Sequence, residues 1–124
     1  MCILVLDEFY SLRKSKIDSL NKYEKTQVIA DKNYNFQALS HKNEVEILAL
    51  KSTFFNWCLA GVFLDQFPNL KAICLDSGWC EFIDFEYCRR RNIFVTNVPG
   101  FSSVASAEWC IMASIILARK IPLF

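Results

Sequence analysis

The stretch LKAICLDSGWCEFIDFEYCRRRNIFVTNV, residues 70–98, decides the fold. Two short apolar runs, Leu70–Leu75 and Ile93–Val98, flank a segment with helical punctuation. Asp84 stands at its N-cap, Arg89-Arg90-Arg91 fill its last turn, and Asn92 follows as a natural C′ residue. Neither run alternates cleanly between apolar and polar residues, so both read as strands covered on two faces, as in a parallel sheet. Strand, helix and strand in this order make one βαβ unit.

Working outward, further apolar runs at Cys2–Leu6, Thr26–Ala30 and Val45–Leu50 predict three more strands. Helical signals lie over Ser11–Tyr23, with Leu12, Ile17 and Leu20, and over Phe55–Phe67, which Pro68 stops. The predicted order is β-α-β-(short loop or turn)-β-α-β-α-β. It implies an α/β fold, a flavodoxin-like doubly wound five-stranded parallel sheet over residues 1–100, whose ligands sit outside the carboxyl ends of the strands. Residues 101–124 then form a linker and a long apolar helix, predicted from about Ser103 to Lys120 after the Asn97-Val98-Pro99-Gly100 turn. Ala105, Ala107, Trp109, Cys110, Ile111, Met112, Ala113, Ile115, Ile116, Leu117 and Ala118 cover nearly every face of it, so it wants cover on all sides. Glu108 is placed in its first turn and Arg119-Lys120 in its last, complementing the helix dipole.

Composition limits the function classes. A chain of 124 residues that is 53% hydrophobic can bury one domain's core. Lys plus Arg (14) balance Asp plus Glu (13), which leaves no field to recruit nucleic acid or an anionic membrane surface. The first residues lack a basic leader, and the longest apolar stretch, Trp109–Ala118, falls short of the roughly 20 residues a spanning helix needs. A soluble cytoplasmic protein is expected. Cys2, Cys58, Cys74, Cys80, Cys88 and Cys110 form no C-x-x-C pair and have no nearby histidine, so they read as reduced thiols and no metal is assigned.

Three stretches, Phe67-Pro68-Asn69-Leu70-Lys71-Ala72-Ile73, Phe82-Ile83-Asp84-Phe85-Glu86 and Ile93-Phe94-Val95-Thr96-Asn97-Val98-Pro99-Gly100-Phe101-Ser102, followed by Ala107-Glu108, together resemble the D-isomer-specific 2-hydroxyacid dehydrogenases. The resemblance is specific from Phe67 to Pro122; ahead of Phe67 only the rhythm of strands and helices agrees. It implies an NAD-dependent oxidoreductase acting on the CH–OH group of a small 2-hydroxy acid or the matching 2-oxo acid, with NADP left open as the cofactor. It also implies that residues 103–120 cross to a nucleotide-binding domain and help to form an interdomain and homodimer interface.

The same resemblance points to candidate site residues. Asp76-Ser77-Gly78-Trp79-Cys80 falls where family members hold the substrate carboxylate through backbone N–H groups. A glycine lets such donors approach an anion closely, so Gly78 is the first candidate and Ser77 and Trp79 the next. The family pattern sets two glycines around one residue; here Ser77 and Trp79 occupy those places around Gly78, which leaves the substrate's identity open. Trp79 either caps a larger or more apolar substrate or packs the loop. Asp76 would repel a carboxylate and is expected to point outward or to pair with a base. Ser52, in Lys51-Ser52-Thr53, resembles a second substrate-side loop, although such residues also serve as ordinary loop and N-cap groups. Asn97 and Ser106 fall on the approach to the cofactor.

Other features have plainer readings. Arg89-Arg90-Arg91 answer the helix dipole rather than a phosphate. Asp7-Glu8 suggests the acidic pocket of a receiver domain, but the third strand ends in Ala49-Leu50-Lys51 without a phosphoacceptor aspartate. His41, the single histidine, lies in a polar connection and is expected to be solvated. Gly61, Gly78 and Gly100 cannot form G-x-G-x-x-G, and the resemblance places the family's arginine, glutamate and histidine beyond Phe124, so no catalytic residue is assigned within the chain. Two readings follow: the front portion of a dehydrogenase, inactive alone, or a non-catalytic flavodoxin-like module that dimerises through its apolar helix.

Overall fold

The computed structural model describes residues 1–7, 14–56 and 58–121. Glu8, Ser11, Leu12, Trp57 and Pro122 lie outside the described residues.

Five strands, β1 (Cys2–Leu6), β2 (Lys25–Ile29), β3 (Val45–Leu50), β4 (Ala72–Leu75) and β5 (Phe94–Thr96), form one sheet in the order β2-β1-β3-β4-β5. Every pairing is parallel. The chain therefore leaves β1 toward one edge and β3 toward the other, so the winding reverses between those two strands. The helices are α1 (Lys14–Leu20), α2 (Gly61–Leu64), α3 (Phe85–Arg90) and α4 (Ser103–Ala118).

The central strands carry the core because they are covered on both faces. Leu4, Leu6, Leu48, Val45 and Ile73 are fully buried, together with Leu64 and Phe67 from the α2 segment. Each such side chain contributes about 1.5–3 kcal/mol through removal from water. The expectation of two-sided cover fails at β5, where Phe94 is 74% exposed. It is an edge strand bonded only to β4, through its three residues Phe94–Thr96.

Helix α3 forms as its caps dictate. Asp84 accepts a hydrogen bond from the Tyr87 N–H, and Asn92 turns left-handed at φ 53°. The Asn92 and Ile93 N–H groups then bond the Arg89 and Cys88 carbonyls and close a Schellman turn.

The continuous helix expected over Phe55–Phe67 does not form. A 3₁₀ turn at Ser52–Phe55 ends on Asn56 in the left-handed region, and only Gly61–Leu64 is helical. Aromatic packing and one strand-like bridge outweigh helix propensity here. Phe55 and Phe63 stack within 4.8 Å, Phe36 meets Phe63 at 4.9 Å, and Leu59 pairs with Ile83 as an isolated parallel bridge. A Cβ on Gly61 would stand 2.7 Å from the Tyr87 ring, so the glycine seats that ring. The Tyr87 hydroxyl in turn donates to Asp65 and accepts from Arg91 at 3.0 Å.

Helix α4 starts where it was expected and ends two residues early. Glu108 lies in its second turn, and Arg119 and Lys120 fall past its last residue, so the predicted charge pattern at its termini is absent. Lys120 takes φ 50° and closes a second Schellman turn, with its N–H on the Leu117 carbonyl and that of Ile121 on the Ile116 carbonyl. None of the sixteen residues of α4 is buried. No helix among the described residues is long and apolar enough to cross a membrane.

Candidate substrate site at the carboxyl edge of the sheet

Register brings three charged residues into a row. Leu6 is level with Leu50, and Leu50 with Leu75, so Asp7, Lys51 and Asp76 leave three adjacent strands side by side. Asp7 is buried, and Lys51 pairs with Asp76 at 3.8 Å, which meets the expectation that Asp76 finds a base. Together with Val5, Leu6, Ala49, Leu50, Cys74 and Leu75 they line an open cavity of about 270 Å³. It sits at the point where the winding reverses, the place where open α/β sheets take ligands. Its size falls just below the range of about 300–1,000 Å³ typical of drug-sized ligands.

The loop that follows Asp76 is held by the exit of β5. The Val98 N–H donates to the Ser77 carbonyl at 3.1 Å, and Asn97 Nδ2 donates to the Gly78 carbonyl at 2.9 Å. Ser77 Oγ donates to the Trp79 carbonyl at 2.7 Å. In a trans peptide the C=O and N–H point opposite ways, so tying the Ser77 and Gly78 carbonyls to β5's exit turns the N–H groups of Gly78 and Trp79 away from it. The Gly78 N–H donates no hydrogen bond within the described residues. A Cβ on Gly78 would stand 3.3 Å from the Val98 carbonyl oxygen, so the close approach of the two segments favours a glycine.

The remaining candidates divide. Ser77, Gly78, Trp79 and Asn97 come together. Trp79 is 47% exposed and meets the Phe82 ring at 6.3 Å. Ser52 is buried as the first residue of the 3₁₀ turn that follows β3, next to Lys51 of the cavity wall. Ser106 lies exposed in the first turn of α4. Asp7 and the Lys51–Asp76 pair were not singled out by sequence as one constellation; their shared position one residue past three apolar strands was the available signal. His41 is half-buried rather than solvated, with Nε2 enclosed and without a partner among the described residues. It precedes β3 whereas Lys51 follows it, and a six-residue strand separates those edges by about 20 Å. Arg91 donates to the Leu64, Phe67 and Pro68 carbonyls, so that cation ties the chain around α2.

Comparison with known sequences now adds the decisive observation. The pattern described as D-isomer specific 2-hydroxyacid dehydrogenase, catalytic domain, matches residues 3–114. The chain belongs to that family. The match reaches back well ahead of Phe67, where sequence reading found only a shared rhythm.

Individual relatives agree. A 2-hydroxyacid dehydrogenase of Staphylococcus saprophyticus is 36% identical over 59 residues, which are 48% of this chain and 19% of that protein. Among solved structures, D-lactate dehydrogenase from Aquifex aeolicus, bound to NAD and lactic acid, superposes with a TM-score of 0.70 at 20% identity, covering 93% of this chain and 33% of its own. The NAD-dependent formate dehydrogenase from Staphylococcus aureus, bound to NAD, gives 0.69 at 18% identity, covering 97% and 39%. At that identity these two structures speak for the fold. The chain spans between about a fifth and two fifths of the length of these relatives.

Proposed function

We propose that this chain supplies the substrate-side portion of a D-2-hydroxyacid dehydrogenase, with the loop Ser77-Gly78-Trp79 as the seat of the substrate carboxylate. The observation that carries the reading is the orientation of that loop: both its first carbonyls are tied to β5's exit, which presents the Gly78 and Trp79 N–H groups at the carboxyl edge of the sheet. Oriented N–H groups receive an anion without a formal positive charge. Lys51 is engaged with Asp76, so backbone donors are the stronger candidates for a carboxylate. The apolar walls below would take the side chain of a small 2-hydroxy or 2-oxo acid.

The relatives' cofactor, NAD with NADP as the alternative, needs a pyrophosphate seat. The residues present do not fit that part. Gly61 opens a one-turn helix and packs on Tyr87, Gly78 belongs to the carboxylate loop, and Gly100 sits at φ 71° in the turn before α4. No dinucleotide fingerprint can be assembled from them. Asn97 and Ser106 are the residues proposed to face a cofactor held by other parts of a complete enzyme. Hydride transfer is accordingly not assigned to these 124 residues. Residues 1–100 act as the substrate-binding unit and residues 101–124 as the crossing to a nucleotide-binding unit.

Helix α4 supports a second reading, that the chain also pairs with a second copy. Trp109, Ile111, Ile115 and Leu117 are each more than half exposed, and a helix apolar all round is stable in water only when covered.

The test is a titration of the ¹⁵N-labelled chain with pyruvate. Shifts confined to the amides of Ser77, Gly78 and Trp79 are expected; no shift at tens of millimolar pyruvate overturns the carboxylate seat. Turnover of any D-2-hydroxy acid with NAD by this chain alone would overturn the claim that it lacks a catalytic set.

A further inference from the structure

We infer that Asn97 is a positioning residue whose side-chain amide holds the Ser77–Cys80 loop in its anion-receiving shape. The inference rests on the reading of that loop as the carboxylate seat and adds the group that builds it. The loop leaves β4 at Asp76, one residue beyond the ladder, and is not part of any strand or helix. Its peptide planes are free to rotate unless something fixes them. Two bonds reach it from the end of β5. One comes from the main chain, Val98 N–H to the Ser77 carbonyl at 3.1 Å, and any residue at position 98 other than proline would supply it. The other comes from a side chain, Asn97 Nδ2 to the Gly78 carbonyl at 2.9 Å, and it fixes the plane that aims the Trp79 N–H.

Register explains why position 97 reaches that carbonyl. Cys74 is level with Thr96, so Asn97 leaves β5 beside Leu75 and its short side chain spans to the loop directly above. The same nitrogen lies 3.9 Å from Cys80 Sγ, which places it across the loop from Gly78 to Cys80. Gly78 closes the contact from the other side, with its Cα packed toward the Val98 carbonyl and Pro99. An asparagine in this place therefore acts on the substrate's seat through the loop. Its amide nitrogen donates toward both the Gly78 carbonyl and Cys80 Sγ, so any contact with a cofactor would fall to Oδ1.

The experiment compares the wild-type chain with Asn97→Leu, a near-isostere without the donor, and Asn97→Gln, which keeps the amide on a longer stem. Backbone order in the ligand-free protein is read by ¹⁵N relaxation. Order parameters near 0.85 are expected for Gly78 and Trp79 in the wild type and below about 0.6 in Asn97→Leu, with Asn97→Gln recovering most of the difference. The β1 and β4 amides should not change. In the pyruvate titration Asn97→Leu should bind about fivefold more weakly, the size of one neutral hydrogen bond. A loop equally ordered in Asn97→Leu, a loop already mobile in the wild type, or equal loss of order in both variants overturns the inference; the last would place the effect in packing. If pyruvate moves no loop amide in the wild type, the carboxylate-seat reading fails, while the order parameters still decide the role of Asn97. Asn97→Ala, which removes the donor without adding apolar bulk, repeats the measurement should Asn97→Leu fold poorly.

Discussion

At Gly78 a Cβ would stand 3.3 Å from the Val98 oxygen and 3.6 Å from Pro99 Cα, both backbone atoms with little room to give. Gly78→Ala should therefore cost about 1 kcal/mol in a denaturant melt, through local overpacking. It should also weaken pyruvate binding, because the loop and the β5 exit must part for the methyl to fit. Unchanged binding would mean that the N–H groups are aimed by something else. A second residue-scale prediction concerns Glu46, at the opposite edge of the sheet. Its hydrogen bond with Lys71, at 2.5 Å, holds its carboxyl below the ordinary value near 4.5. A carboxyl whose folded pKa is depressed contributes stability above its unfolded pKa and loses it as pH falls through the folded one. The wild-type melting temperature should thus fall more steeply below pH 4.5 than that of Lys71→Met. Parallel curves would show that this exposed pair contributes nothing measurable.

Among the elements, α3 and α4 end in the same turn with different residues in the left-handed position. Asparagine at 92 tolerates that conformation, whereas lysine at 120 carries a Cβ cost of about 1–2 kcal/mol. Lys120→Gly is expected to raise amide hydrogen-exchange protection across Ile115–Ala118 by up to about tenfold, without moving exchange in the sheet. The effect should remain local because no residue of α4 is buried. Slower exchange in β1 or β3 would instead reveal that α4 folds with the core.

For the whole molecule, the contrast between a dry sheet and an uncovered helix sets the solution behaviour. Ile111, Met112, Ile115 and Ile116 line a shallow groove along α4 with Glu108 at one end. Sedimentation of the wild-type chain should show concentration-dependent dimers, and Ile111→Glu combined with Ile115→Glu should leave a monomer with the same core melting temperature. A wild-type chain that stays monomeric at high concentration would overturn pairing through α4.

Much of this was legible in the sequence because it depends on local, periodic chemistry. The apolar runs at Cys2–Leu6 and Val45–Leu50, the Asp84 cap, the Asn92 stop and the helix start at Ser103 were each specified without reference to anything distant. The loop Ser77-Gly78-Trp79 was singled out in sequence through family motifs that keep their order and spacing, and its role is the proposal made above. Tertiary structure alone decided the rest. The turn and short helix that replaced a helix over Phe55–Phe67 answer to Phe36 and Ile83, partners many residues away whose packing outweighs intrinsic propensity. The row of Asp7, Lys51 and Asp76 exists only because three parallel strands end in register. Asn97, read in sequence as a residue facing a cofactor, was placed beside Gly78 by the pairing of β4 with β5. Element identity is a property of neighbours along the chain, whereas a site belongs to neighbours across it.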